Sequence, residues 1–88
     1  MKSLFFFLFL FSNSFYPVFS QSYLLESVKK NPEGAISICN KFREFNSRGI
    51  SANDDKAINY VSKRNNLTPV NAEIFSIYVI GLHCPDII

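Results

Sequence analysis

Few residues in this 88-residue chain could carry chemistry: two cysteines (Cys39 and Cys84), one histidine (His83) and seven carboxylates. Cys84 directly after His83 invites a thiol–imidazole nucleophile, in which a neighbouring base raises the thiolate fraction. Adjacent residues on a helix point about 100° apart, however, so these two side chains would not face each other. Two cysteines and a single histidine are too few for a closed zinc site, and no Cys-x-x-Cys is present for redox or haem chemistry. Asp54-Asp55 is the only adjacent carboxylate pair. In the first turn of a helix such a pair compensates the helix dipole, which explains it better than acid–base catalysis. Glu26, Glu33, Glu44 and Glu73 read as solvated. No glycine-rich phosphate loop or nucleophile motif is present. The sequence therefore assigns no catalytic, cofactor-binding or metal residue, and the chain is not expected to be an enzyme or to need a cofactor.

Three weaker signals have bland structural readings. Asn66-Leu67-Thr68 matches a glycosylation acceptor, relevant only in a eukaryotic secretory pathway, and reads first as the turn into a helix. Lys29-Lys30 and Lys63-Arg64 are short basic doublets of the kind found at solvated helix ends. Tyr23, Phe45 and Tyr60 could form an aromatic patch, with core packing the expected role of the last two.

The element that must position most of these residues is the stretch 67–85, LTPVNAEIFSIYVIGLHCP. Thr68 before Pro69 is a helix start: a hydroxyl to cap free amides, then a ring already at helical φ. Val70, Ile74, Ile77 and Gly81 recur at helical spacing, widened by Phe75, Tyr78 and Leu82, and are expected to form the buried face. Glu73, Ser76, Ile80 and His83 fall opposite. Asn31-Pro32-Glu33 is a second capped start, and Ala35, Ile38, Cys39, Phe42 and Phe45 then make a compact stripe on a helix ending near Ser47. Gly49 supplies a left-handed stop. Ser51, three residues before Asp54, is expected to cap a third helix carrying Ala57, Ile58, Tyr60 and Val61 inward and ending near Asn65-Asn66. Residues 22–30 carry only Leu24, Leu25 and Val28 on one side, so a frayed helix is expected there. No alternating run bounded by turn residues suggests a strand.

The amino terminus reads as a secretory signal. Lys2 precedes the apolar run 4–11, Ser12-Asn13-Ser14 breaks it, and Val18-Phe19-Ser20 offers a cleavage site. Residues 1–20 are accordingly read as a signal peptide and 21–88 as the helical domain, with cleavage after Ser14 or retention of the segment as alternatives. Without Lys2, eight basic residues face seven acidic ones, so neither nucleic acid nor an anionic membrane finds a basic patch. So short a domain is marginally stable without a covalent staple. Export and two cysteines together make Cys39–Cys84 the expected disulfide.

Read in order, the pattern is a cysteine on an amphipathic helix, Gly49-Ile50-Ser51, a capped helix, Leu67-Thr68, Ala72, Phe75, and Cys84-Pro85. It resembles the small secreted actinobacterial proteins catalogued as domain of unknown function 732. That resemblance implies a secreted helical domain with one disulfide and no assigned activity. The resulting expectation is an all-α domain of three to four helices with one disulfide, secreted or periplasmic. Its expected role is a non-catalytic binding or envelope-associated module whose partner is a protein or a small ligand. The alternative is a structural protein held at a membrane by its retained amino-terminal segment.

Overall fold

The computed structural model describes residues 20–88. They form four helices: α1 (Gln21–Lys30), α2 (Pro32–Ser47), α3 (Asp55–Asn65) and α4 (Pro69–His83), with no strand among the described residues. The domain is all-α. The signal-peptide reading falls on residues 1–20, which lie outside the described residues except for Ser20.

Helix α4 touches each of the other three, so the chain is built around it. The core is one continuous cluster, with Phe42, Leu24, Ile38, Val28, Val61 and Val79 as its largest fully buried side chains. Cys39 and Cys84 are bonded within it, their Cα atoms 6.1 Å apart. This bridge ties the middle of α2 to the residue that closes α4.

The helix boundaries follow local chemistry. Asn31 accepts from the Gly34 amide at 3.1 Å and Thr68 from the Asn71 amide at 3.2 Å, each ahead of a proline at the first helical position. Helix α2 stops after Ser47, and Gly49, with a φ of 77°, turns the chain so that the Ile50 amide reaches the Phe45 carbonyl and the Gly49 amide reaches the Asn46 carbonyl. Helix α3 ends on Asn66, the one described non-glycine residue with positive φ, at 54°.

Three expectations need correction. The cap of α3 is Asp54, not Ser51: the Asp54 carboxylate accepts from the Lys56 amide at 2.9 Å. Ser51 instead opens a turn, its carbonyl accepting from the Asp54 amide at 3.0 Å and its hydroxyl bonding Asn53. The helix begins one turn later because the acid serves as cap, without a reciprocal box. Secondly, α1 is a complete helix. Leu24 and Val28 are each 1% exposed, and this docking holds a ten-residue helix too short to be stable by itself.

The third correction concerns the orientation of α4. Its buried residues are Ala72, Phe75, Ser76 and Val79, whereas Val70 (67% exposed), Ile77 (61%), Gly81 and Leu82 face outward. Ser76 is no obstacle to burial, because its hydroxyl donates to the Ala72 carbonyl at 2.8 Å within the same helix. Ala72 and Ser76 are small, and turning them inward lets the axis of α4 approach three helices at once. Gly81 lies on this outward side, where an added Cβ would meet nothing within 4 Å.

Candidate functional site

Four elements converge on a cleft of about 480 Å³ between α1, α2 and the α3–α4 turn. Leu24 from α1, Ala35 and Ile38 from α2, and Phe75 from α4 form an apolar floor, all of them core residues. Tyr23, Ser27, Asn31, Arg64 and Asn65 supply a polar rim. The rim residues sit at helix ends and first turns, where backbone groups left over by the helices compete for their side chains. Ser27 donates its hydroxyl to the Tyr23 carbonyl (2.9 Å), and Asn65 donates its amide to the Val61 carbonyl (3.1 Å).

The hydrogen-bonding capacity left over is uneven. Asn31 spends its oxygen on the cap of α2, which directs its NH2 group past Gly34. The fit is tight, since a Cβ on Gly34 would lie 2.4 Å from Asn31 Nδ2. Arg64 uses one guanidinium nitrogen on the Tyr60 hydroxyl at 3.0 Å, and no carboxylate pairs with it among the described residues. Its other donors remain for a ligand, so donors outweigh acceptors on this rim.

A second, smaller groove of about 290 Å³ lies on the other side of α4, lined by Ala52, Ile77, Ile80 and Ile88, with Glu73 also on its wall.

The other sequence candidates are dispersed. Cys84 is fully buried and its sulfur is committed to Cys39, so no thiol stands beside the half-buried His83. Asp54 and Asp55 sit at the start of α3, where the dipole favours them. Lys29 pairs with Glu26 at 3.8 Å on the surface of α1. Asn66 and Thr68 of the glycosylation pattern close α3 and open α4, as the turn reading expects. Phe45 and Tyr60 meet edge to face with centroids 6.2 Å apart, and the Lys41 ammonium lies 5.2 and 5.5 Å from the two rings. Tyr23 is apart from them, on the cleft rim. The sequence reading did not single out Asn31, Arg64 and Asn65 as a group. They are brought together only by the α3–α4 turn folding back over α1 and α2, and no local pattern announces that meeting.

One structural residue was also missed. Asn46 accepts from the Ile88 amide (3.0 Å) and donates to the carbonyls of Ile50 (2.9 Å) and Ile88 (3.0 Å), fastening the turn after α2 to the segment after α4. Arg43 adds an exposed pair to Asp86 at 3.4 Å.

Among curated proteins and solved structures, none matches the chain. A family model does match, over residues 25–84, and its description is Domain of unknown function (DUF8664). This overturns the resemblance to domain of unknown function 732. The residues that suggested it are a left-handed stop at Gly49, a cap at Thr68, the buried faces at Ala72 and Phe75, and the disulfide. Each answers a need that any small two-cysteine helical domain has, so together they report architecture and not descent. The match extends from the second turn of α1 to the disulfide that closes α4, and the chain belongs to the family Domain of unknown function (DUF8664).

Proposed function

We propose that the chain is a small binding module, not a catalyst, that works in an oxidising space outside the cytosol. Its ligand is a small amphiphile with an acidic group, held in the cleft between α1, α2 and the α3–α4 turn. The observation that carries this reading is the pairing of an apolar floor with a donor-rich rim in one cleft. Its size, about 480 Å³, falls in the range of roughly 300–1,000 Å³ typical of small-ligand sites. An alkyl or aryl portion would lie against Leu67 and Phe75, the apolar lining side chains that keep some exposure, while the acidic group would take the unspent donors of Arg64 and Asn31. The compartment is argued from the buried disulfide, which persists where thiols are not kept reduced, and from the signal-like amino terminus. Among the described residues no helix is long and apolar enough to cross a membrane.

Titration of the isotopically labelled, oxidised protein with octanoate and with octanol tests the reading by NMR. Octanoate is expected to shift the amides of Ser27, Gly34 and Asn65, and Arg64→Gln is expected to weaken it about tenfold towards the value for octanol. Shifts scattered over the surface, or equal binding of acid and alcohol, would overturn it.

A further inference from the structure

We infer that the groove between α4 and the α2–α3 turn is a second binding site, whose ligand is a short alkylammonium, a protonated primary amine on an apolar tail. Glu73 carries the inference. All seven carboxylates of the chain lie among the described residues, and the fold accounts for the other six. Glu26 pairs with Lys29, Glu44 with Lys41 and Arg48, and Asp86 with Arg43. Glu33, Asp54 and Asp55 sit at helix starts, where the dipole favours them. Glu73 has neither kind of compensation. It lies beyond the first turn of α4, is the one acid of that helix, and pairs with no lysine or arginine among the described residues.

The groove beside this uncompensated charge suits a tail and a donating head. Ile77, one turn along from Glu73, is 61% exposed and Ile88 is 82% exposed, so both keep apolar surface for a tail to cover, next to the half-buried Ile80. The volume, about 290 Å³, lies at the lower edge of the range of roughly 300–1,000 Å³ typical of small-ligand sites, which calls for a short chain. No hydroxyl on the wall offers a proton, because Ser76 donates to the Ala72 carbonyl and Ser51 to Asn53 Oδ1. The Asn53 amide is the one side-chain donor left there. A full negative charge thus borders the apolar surface, the reverse of the donor-rich cleft on the other side of α4.

The chemistry of the wall selects among cations. A metal ion fits poorly, because Glu73 is a single ligand and no three His, Cys, Asp or Glu side chains gather among the described residues. A quaternary ammonium is held by aromatic faces, and none lines this groove. A primary ammonium brings protons that a carboxylate accepts in charge-assisted hydrogen bonds. The lysine side chain of a peptide carries the same head, but its stem leads back to polar peptide groups where the isoleucines call for hydrocarbon.

NMR titration of the labelled, oxidised protein with octylammonium, octanol and Nα-acetyl-lysine methylamide tests the inference. Octylammonium is expected to bind most tightly, shifting the amides of Ala52, Asn53 and Ile77. Glu73→Gln is expected to weaken it about tenfold, to the level of octanol, and to leave octanol unchanged. Ile77→Ala should weaken the amine and the alcohol alike. Both positions are exposed, so both variants should melt close to the unsubstituted protein. Equal binding of amine and alcohol, shifts scattered over the surface, or full affinity in Glu73→Gln would overturn the inference. So would binding of the lysine derivative as tight as that of octylammonium, which would make the partner a peptide. Octanoate in the first cleft depends on Arg64 and not on Glu73, so either site can fail without the other.

Discussion

At the scale of single residues, the useful lesson is how side chains divide their hydrogen bonds between structure and surface. Asn31 gives its oxygen to a helix start and keeps its nitrogen for the cleft, while Ser76 spends its hydroxyl on its own helix and becomes buriable. Asp54 and Ser51 make this division testable. Asp54 caps α3 through its carboxylate, so Asp54→Ala is expected to cost roughly 0.5–2 kcal/mol of stability by chemical denaturation. Ser51 only orders an exposed turn, and Ser51→Ala should stay within about 0.5 kcal/mol. The reverse ranking would restore Ser51 as the cap. Asn31 and Thr68 were legible in the sequence because a proline follows each of them and fixes the boundary. Ser51 has no such neighbour, and an acid three residues on fits two different helix starts equally well.

At the scale of elements, the helices were legible and one orientation was not. The stripe of α2 could be read because its polar residues, Asn40, Arg43 and Glu44, leave a single inward face; all three are exposed. Helix α4 is apolar nearly all round, so hydropathy does not say which side is in. Size decides it: the side with Ala72 and Ser76 goes inward because it lets three helices close on one axis. Val79→Ala should accordingly cost roughly 1.5–3 kcal/mol, whereas Ile77→Ala should change thermal stability little. Equal losses at the two positions would contradict the orientation. The cleft was the least legible part, because its rim is assembled from α1, α2 and α3, and the turn that gathers them bears no motif. Nothing in the spacing of Asn31 and Arg64 says that they share a rim.

At the scale of the whole molecule, the disulfide closes a covalent loop with a sequence separation of 45 residues, and α1 lies outside it. Closing a loop of that length restricts the unfolded chain by about 4 kcal/mol in the chain-entropy account. That is comparable to the net stability of so small a core. Reduction, or Cys39→Ser with Cys84→Ser, is expected to leave the domain largely unfolded at physiological temperature, as followed by circular dichroism. A cooperative melt scarcely altered by reductant would show that packing alone suffices. Helix α1 has no such tether and rests on Leu24 and Val28, so its amides should exchange with solvent faster than those of α2 and α4. Its start is held by Ser20, whose hydroxyl accepts from the Tyr23 amide at 3.1 Å and whose carbonyl accepts from Leu24 at 3.1 Å. If export removes everything through Ser20, the cap leaves with the signal and an ammonium group arrives at the positive end of the helix dipole. An amino-terminal glutamine can then close on itself, expelling ammonia and leaving a neutral lactam. Maturation would in that case first loosen the front wall of the cleft and then, by ring closure at Gln21, relieve the charge that loosened it.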